Sequence, residues 1–189
     1  MNQSSRNHKK KCCCKKKSSI SCATIPSFMN NLLPRSPRSN QGTERIVGGQ
    51  EAKSPIPWQV QFKPIGNRPE VFCGGSILDK YTILSAAHCT PCKEITKDPS
   101  LKTFYHVIVG SLVAEYCRPS EPDCGSYKIK KVIMHPKYNE ISQDNDFCII
   151  KLIKPIVYKK DVRNICLPPS KQAPPGRMVV SGWGLLNCK

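Results

Sequence analysis

From Ile46 onward, apolar residues recur in short runs broken by Gly, Pro, Asn, Asp or Lys, a texture of strands rather than helices. The runs are Trp58 to Phe62, Phe72 to Leu78, Thr82 to Ala86, Tyr105 to Val109, Tyr127 to Met134 and Phe147 to Leu152. Strand candidates of this length with turns between them predict a small antiparallel barrel. No amphipathic helix of useful length stands out. Residues 154–177 are rich in Pro and Lys and read as a connection, after which the run MVVSGWG predicts one further strand ending in a glycine turn, with nothing left to pair with it. The absence of a repeat of solenoid period argues against an array architecture.

Residues 1–45 lack this texture. Ser, Asn, Pro, Lys and Arg predominate with no periodic apolar pattern to bury, so this segment is expected to be a flexible extension. The abundance of proline, 17 residues, and glycine, 11, further favours a β-rich, loop-rich body over a helical bundle.

Charge changes the picture in one respect. The net charge is +17, and residues 1–45 hold ten Lys or Arg against the single acid Glu44. A basic excess of this kind can draw a protein to polyanions, and the tail is the segment expected to make that contact. It carries no information about fold, and no specific nucleic-acid motif accompanies it.

Twelve cysteines in 189 residues point to a disulfide-bonded domain of an oxidising, extracellular compartment. The N-terminus does not match that expectation, because Lys9 to Lys17 reads KKKCCCKKK and no uninterrupted apolar stretch follows it as a secretory signal requires. That tract has two readings, a palmitoylated basic anchor or a misassigned translation start, of which the second is favoured. Nothing in the chain is long enough to span a membrane as a helix.

Several strings then carry chemistry when taken in order. Arg45-Ile46-Val47-Gly48-Gly49 is followed by Pro57-Trp58-Gln59-Val60, Cys73-Gly74-Gly75-Ser76-Ile77-Leu78, Leu84-Ser85-Ala86-Ala87-His88-Cys89 and Asp144-Asn145-Asp146-Phe147-Cys148-Ile149-Ile150-Lys151-Leu152. Together, over roughly residues 45–189, they resemble the chymotrypsin/trypsin family of serine endopeptidases. The resemblance implies an all-β fold, an antiparallel six-stranded barrel of the family's double-barrel architecture with the second barrel largely missing. It divides the chain into a basic extension or propeptide, 1–45, a first barrel, 46–166, and a connection with the first strand of a truncated second barrel, 167–189.

By the same resemblance, Arg45 is the activation cleavage site and Ile46 the new N-terminus, His88 is the general base and Asp146 the carboxylate that orients it. An imidazole with an ordinary pKa near ~6.5 can take a hydroxyl proton and return it to a leaving amine at neutral pH. A lone His beside a Cys is more often structural or a metal ligand, but no second ligand sits at zinc spacing, and neither a metal nor a cofactor is expected. Asp144 reads as a turn carboxylate capping nearby N–H groups. Ser85 occupies the place of a hydroxyl that helps hold the catalytic carboxylate, while His106 and His135 receive no chemical role.

The family's Gly-Asp-Ser-Gly-Gly string, with its nucleophile, occurs nowhere in the 189 residues, and Ser181 is no substitute for it. The chain as it stands is therefore expected not to hydrolyse peptides, although the family's partners are protein substrates and an activating protease. The alternative is a non-catalytic homologue acting as a binding or regulatory module, against which the retained His88 and Asp146 weigh. A single-barrel product, the third possibility, would expose an apolar face.

The resemblance also implies cysteine pairings. Cys73 and Cys89 form the bridge that pins the histidine segment, and Cys166 tethers the propeptide through Cys22, with Cys12, Cys13 and Cys14 as alternatives. Cys117 and Cys124 can bridge across their turn, with Cys92 a competitor for either set. Cys148 is expected to be a buried free thiol, Cys188 to pair outside the chain, and Met178 stands where many relatives have a cysteine.

Overall fold

Short runs rich in β-branched and other apolar residues form strands, and six of them close into a barrel. In the computed structural model, which describes residues 52–65, 73–112, 117, 123–168 and 179–183, these are β1 (Gln59–Pro64), β2 (Gly74–Asp79), β3 (Thr82–Ser85), β4 (Tyr105–Val109), β5 (Gly125–Met134) and β6 (Cys148–Leu152). Every pairing is antiparallel and the order around the barrel is β1-β2-β3-β6-β5-β4, with β4 returning to β1. The all-β barrel is thus the fold expected from the pattern.

The interior is filled by the inward positions of each strand: Val60 and Phe62, Ile77, Ile83, Val107 and Val109, Ile129, and Ile150 and Leu152. Burying side chains of this size stabilises by about 1.5–3 kcal/mol each before entropy is counted. Ile156 and Val162 from the connection after β6 are buried with them. Close approach of three strands depends on Gly75. A Cβ there would lie 2.6 Å from the Leu84 carbonyl oxygen and 2.9 Å from Ile83 Cγ2, so any side chain would push β2 away from β3.

Three features depart from the sequence reading. Residues after the histidine segment form a helix, α1 (Thr90–Lys97), followed by a 3-10 helix, Pro99–Phe104. With Pro91 in its first turn and only Pro91, Cys92 and Ile95 buried, α1 is too short to show a helical period in sequence. The expected strand in MVVSGWG is not formed at residues 179–183, because a strand exists only as a ladder and no neighbour pairs with it among the described residues. Ser181 Oγ instead donates to Gln59 Oε1 at 2.8 Å and Trp183 Nε1 to the Leu112 carbonyl at 3.1 Å.

The third departure is chemical. Cys148 is buried as expected but is no free thiol: it is bonded to Cys92, with Cα atoms 6.3 Å apart and a sequence separation of 56. The barrel brings α1 over the start of β6, and both cysteines are inaccessible. Disulfides also join Cys73 to Cys89 and Cys117 to Cys124. Cys166 is disulfide-bonded too; Cys22 and the alternatives Cys12, Cys13 and Cys14 lie outside the described residues, as do Cys188, Met178, Arg45 and Ile46.

A loop as long as the one closed by Cys92 and Cys148 contributes about 4 kcal/mol in the chain-entropy account. Unfolding the chain in denaturant without reductant should therefore leave both cysteines unalkylated by iodoacetamide. The Cys92→Ala, Cys148→Ala variant should lose roughly 2–5 kcal/mol of stability, and alkylation of Cys148 before reduction contradicts the pairing.

Candidate active site

Two chain segments meet at one end of the barrel because of how β3 and β6 pair. Ser85, the last residue of β3, stands opposite Cys148, the first of β6. In an antiparallel pair the chain leaving one strand emerges beside the chain entering the other. His88, three residues past Ser85, and Asp146, two before Cys148, are consequently neighbours although 58 residues separate them.

Local structure then aims the two side chains. Asn145 adopts a left-handed backbone, φ 56°, which Asn tolerates better than most residues. Its side-chain amide donates to the Lys137 carbonyl at 3.0 Å. The Phe147 N–H donates back to the Asn145 carbonyl at 2.7 Å, folding the chain tightly around Asp146 and turning its carboxylate toward the histidine. On the other side, the disulfide through Cys89 anchors the residue next to His88, and the bridge from Cys92 to Cys148 ties α1 to the strand that Asp146 precedes.

The carboxylate is engaged through both oxygens. Oδ2 lies 2.7 Å from His88 Nδ1, and Oδ1 accepts the His88 backbone N–H at 2.8 Å. With Nδ1 protonated, as a carboxylate acceptor requires, Nε2 keeps its lone pair and has no partner among the described residues. The imidazole is half exposed, at 49%, so that nitrogen is open to an incoming group. Partial burial alone would raise the Asp146 pKa. The His88 ring hydrogen bond, the His88 backbone N–H, the charge of His88 and the Ala87 backbone N–H outweigh it, and the carboxyl sits below the usual range.

Neighbouring residues take different parts. Asp144 is an exposed turn carboxylate that accepts the Ser142 hydroxyl at 2.9 Å and does not reach His88. Ser85, expected to support the carboxylate, donates instead to the Gly74 carbonyl at 2.8 Å, because its side chain lies against β2 rather than toward Asp146. His106 lies on β4 and is bonded to Ser126, and His135 accepts the Lys137 N–H, both away from the pair. The ligand atoms of Cys73, His88 and Cys89 fall within 4.8 Å of one another, but both sulfurs are committed to their disulfide and cannot act as thiolate ligands.

Two contacts went unread in the sequence. Besides the Cys92 bridge, Lys93 of α1 forms an ion pair with Glu140 in the loop that leads to Asp146. Contact with Glu140 raises the Lys93 pKa and lowers that of Glu140. Only the position of Cys92 just after the histidine segment, and of Cys148 just after Asp146, could have suggested such a clamp once a barrel was assumed.

Comparison with known proteins gives the same picture. The Trypsin family profile matches residues 46–189. The chain is 32% identical over 146 residues to the venom peptide isomerase heavy chain of Agelenopsis aperta, covering 75% of this chain and 56% of that one. It is 35% identical over 147 residues to ovochymase of Halocynthia roretzi, covering 75% and 9%, and 31% identical over 144 residues to trypsin 5G1 of Aedes aegypti, covering 74% and 48%. The chain therefore spans about half the length, or less, of these curated relatives. A closed six-stranded barrel presenting a histidine and an aspartate at one rim, matched by the family profile over residues 46–189, makes this chain a member of the trypsin family.

Proposed function

We propose that this chain supplies the general base and its orienting carboxylate to a trypsin-like serine endopeptidase whose nucleophilic serine lies outside these 189 residues. The observation that carries the reading is the 2.7 Å contact between His88 Nδ1 and Asp146 Oδ2, with Nε2 left open. In the reaction, Nε2 takes the serine proton as the hydroxyl oxygen attacks the scissile carbonyl. Asp146 stabilises the imidazolium, and the proton then passes to the leaving amine as the acyl-enzyme forms. Water repeats the sequence in reverse to release the acid.

Activation follows the same reading, with cleavage after Arg45 by another protease freeing the Ile46 amine. A tether between Cys22 and Cys166 would keep the propeptide attached. Substrates are proteins or peptides. The disulfides favour an oxidising, extracellular setting; no helix among the described residues is long and apolar enough to cross a membrane.

The 189-residue chain alone should neither hydrolyse fluorogenic peptides nor be labelled by a serine-directed fluorophosphonate; labelling contradicts the proposal. In a longer protein carrying the serine, His88→Ala should lower kcat by about 10⁶-fold and Asp146→Asn by about 10⁴-fold with KM little changed. A longer protein with the serine replaced, and no labelling, assigns the chain to a binding module instead.

The pH dependence of the pair has a definite sign. Because the folded Asp146 carboxyl is held below its ordinary value, the pair contributes stability above the ordinary carboxylate pKa, and that contribution is lost as pH falls through the folded value. The protection factor of the His88 amide, which donates to Asp146 Oδ1, should stay high at pH ~4, where a free aspartate is half protonated, and fall only on further acidification. Loss of protection already above pH ~4 speaks against the arrangement.

A further inference from the structure

Antiparallel register gathers lysines on the outer wall of the barrel, two of them directly opposite each other and two more flanking a histidine. Lys63 on β1 stands opposite His106 on β4, which stands opposite Lys128 on β5. Farther along β5, beyond the irregularity between Ile129 and Lys131, Lys131 stands opposite Lys151 on β6. Residues directly opposite share a face. Here it is the outer one, since the intervening Phe62, Val107, Ile129 and Leu152 are the buried neighbours.

Like charges placed opposite each other, as Lys131 and Lys151 are, destabilise a sheet, and the wall lacks the usual remedy of acidic partners. Among the described residues, Lys63, Lys128 and Lys131 form no ion pair, while the Lys151 ammonium donates to the Thr82 hydroxyl. Partial burial, and then the ammonium groups of Lys128 and Lys63, hold the His106 pKa below its ordinary value, so the ring senses both neighbours. With strands about 4.8 Å apart, Lys63 and Lys128 are separated by roughly 10 Å.

We propose that this wall, from Lys63 through His106 and Lys128 to Lys131 and Lys151, binds a linear sulfated polysaccharide. Its cations are lysine point charges on flexible stems, with no arginine fork for bidentate recognition of a particular carboxylate or phosphate. That chemistry suits a repeating, sequence-tolerant polyanion. The four disulfide-bonded sites of the barrel and its connection belong to an oxidising setting, where sulfated polysaccharides rather than nucleic acids are the prevalent linear polyanions. Bound sulfates relieve the repulsion among these ammonium groups. The proposal stands apart from the protease reading and from the basic tail, and neither is needed for it.

The test uses the whole 189-residue chain and a heparin-derived hexasaccharide, read by calorimetry and by the NMR signals of His106. Lys63→Gln, Lys128→Gln and Lys131→Gln combined should raise Kd at least tenfold while raising the thermal midpoint, since the same substitutions remove repulsion. The arginine counterparts at the three positions should keep the affinity. A control with Lys97, Lys102 and Lys137 changed to Gln, and a second with Lys9, Lys10, Lys11, Lys15, Lys16 and Lys17 changed to Gln, should each stay within threefold of the parent. The proposal is overturned by binding of the triple variant within twofold of the parent, by an equal loss in either control, or by His106 signals that do not move. Equal affinity for a single-stranded DNA of matched charge overturns the assignment to a sulfated polysaccharide.

Discussion

The pairing of Ser85 with Cys148 is the constraint on which the site depends. It brings the exit of β3 and the entrance of β6 to the same rim, and from there three residues on one side and two on the other suffice to bring an imidazole against a carboxylate. A slip of one residue would turn every inward side chain of β6 outward. Ile150 and Leu152, both buried, therefore fix the position of Asp146 as firmly as any contact Asp146 makes itself. Core packing and site geometry here are one problem.

Covalent bonds reinforce that register where the chain leaves regular structure. Cys89 adjoins His88 and is bonded to Cys73 at the foot of β2; Cys92 reaches across from α1 to Cys148. Between these anchors, the carboxylate is satisfied by donors from a single segment, the ring and backbone of His88 with the Ala87 N–H. Such an arrangement fixes the tautomer of the imidazole without closing its far nitrogen to solvent. The outer wall shows the opposite economy, where register juxtaposes cations that nothing among the described residues neutralises.

The strands were legible because runs such as Tyr105 to Val109 and Phe147 to Leu152 are short and rich in apolar and β-branched residues, and the structure places β4 and β6 there within a residue. Phe147 itself lies outside β6 and is exposed, so an apolar residue at a strand boundary misled by one position. The segments carrying His88 and Asp146 stood out as strings, yet their contact is a property of register that no local pattern contains. The bridge between Cys92 and Cys148 was illegible for the same reason, as two cysteines 56 residues apart share no local signal. Ser85 was misread because a hydroxyl turns to whichever acceptor packing provides, and here that acceptor is the Gly74 carbonyl. At residues 179–183 of MVVSGWG no strand forms, because apolar content specifies a strand only beside a partner edge and none pairs with them among the described residues.

The most direct test of the account is proton NMR of the 189-residue chain for a hydrogen-bonded, strongly downfield His88 Nδ1–H. The account predicts that this resonance is present in the parent, lost in Asp146→Asn and unchanged in Asp144→Asn, because only Asp146 reaches the ring. A resonance that survives Asp146→Asn, or disappears with Asp144→Asn, would contradict the pairing from which the proposed chemistry is derived.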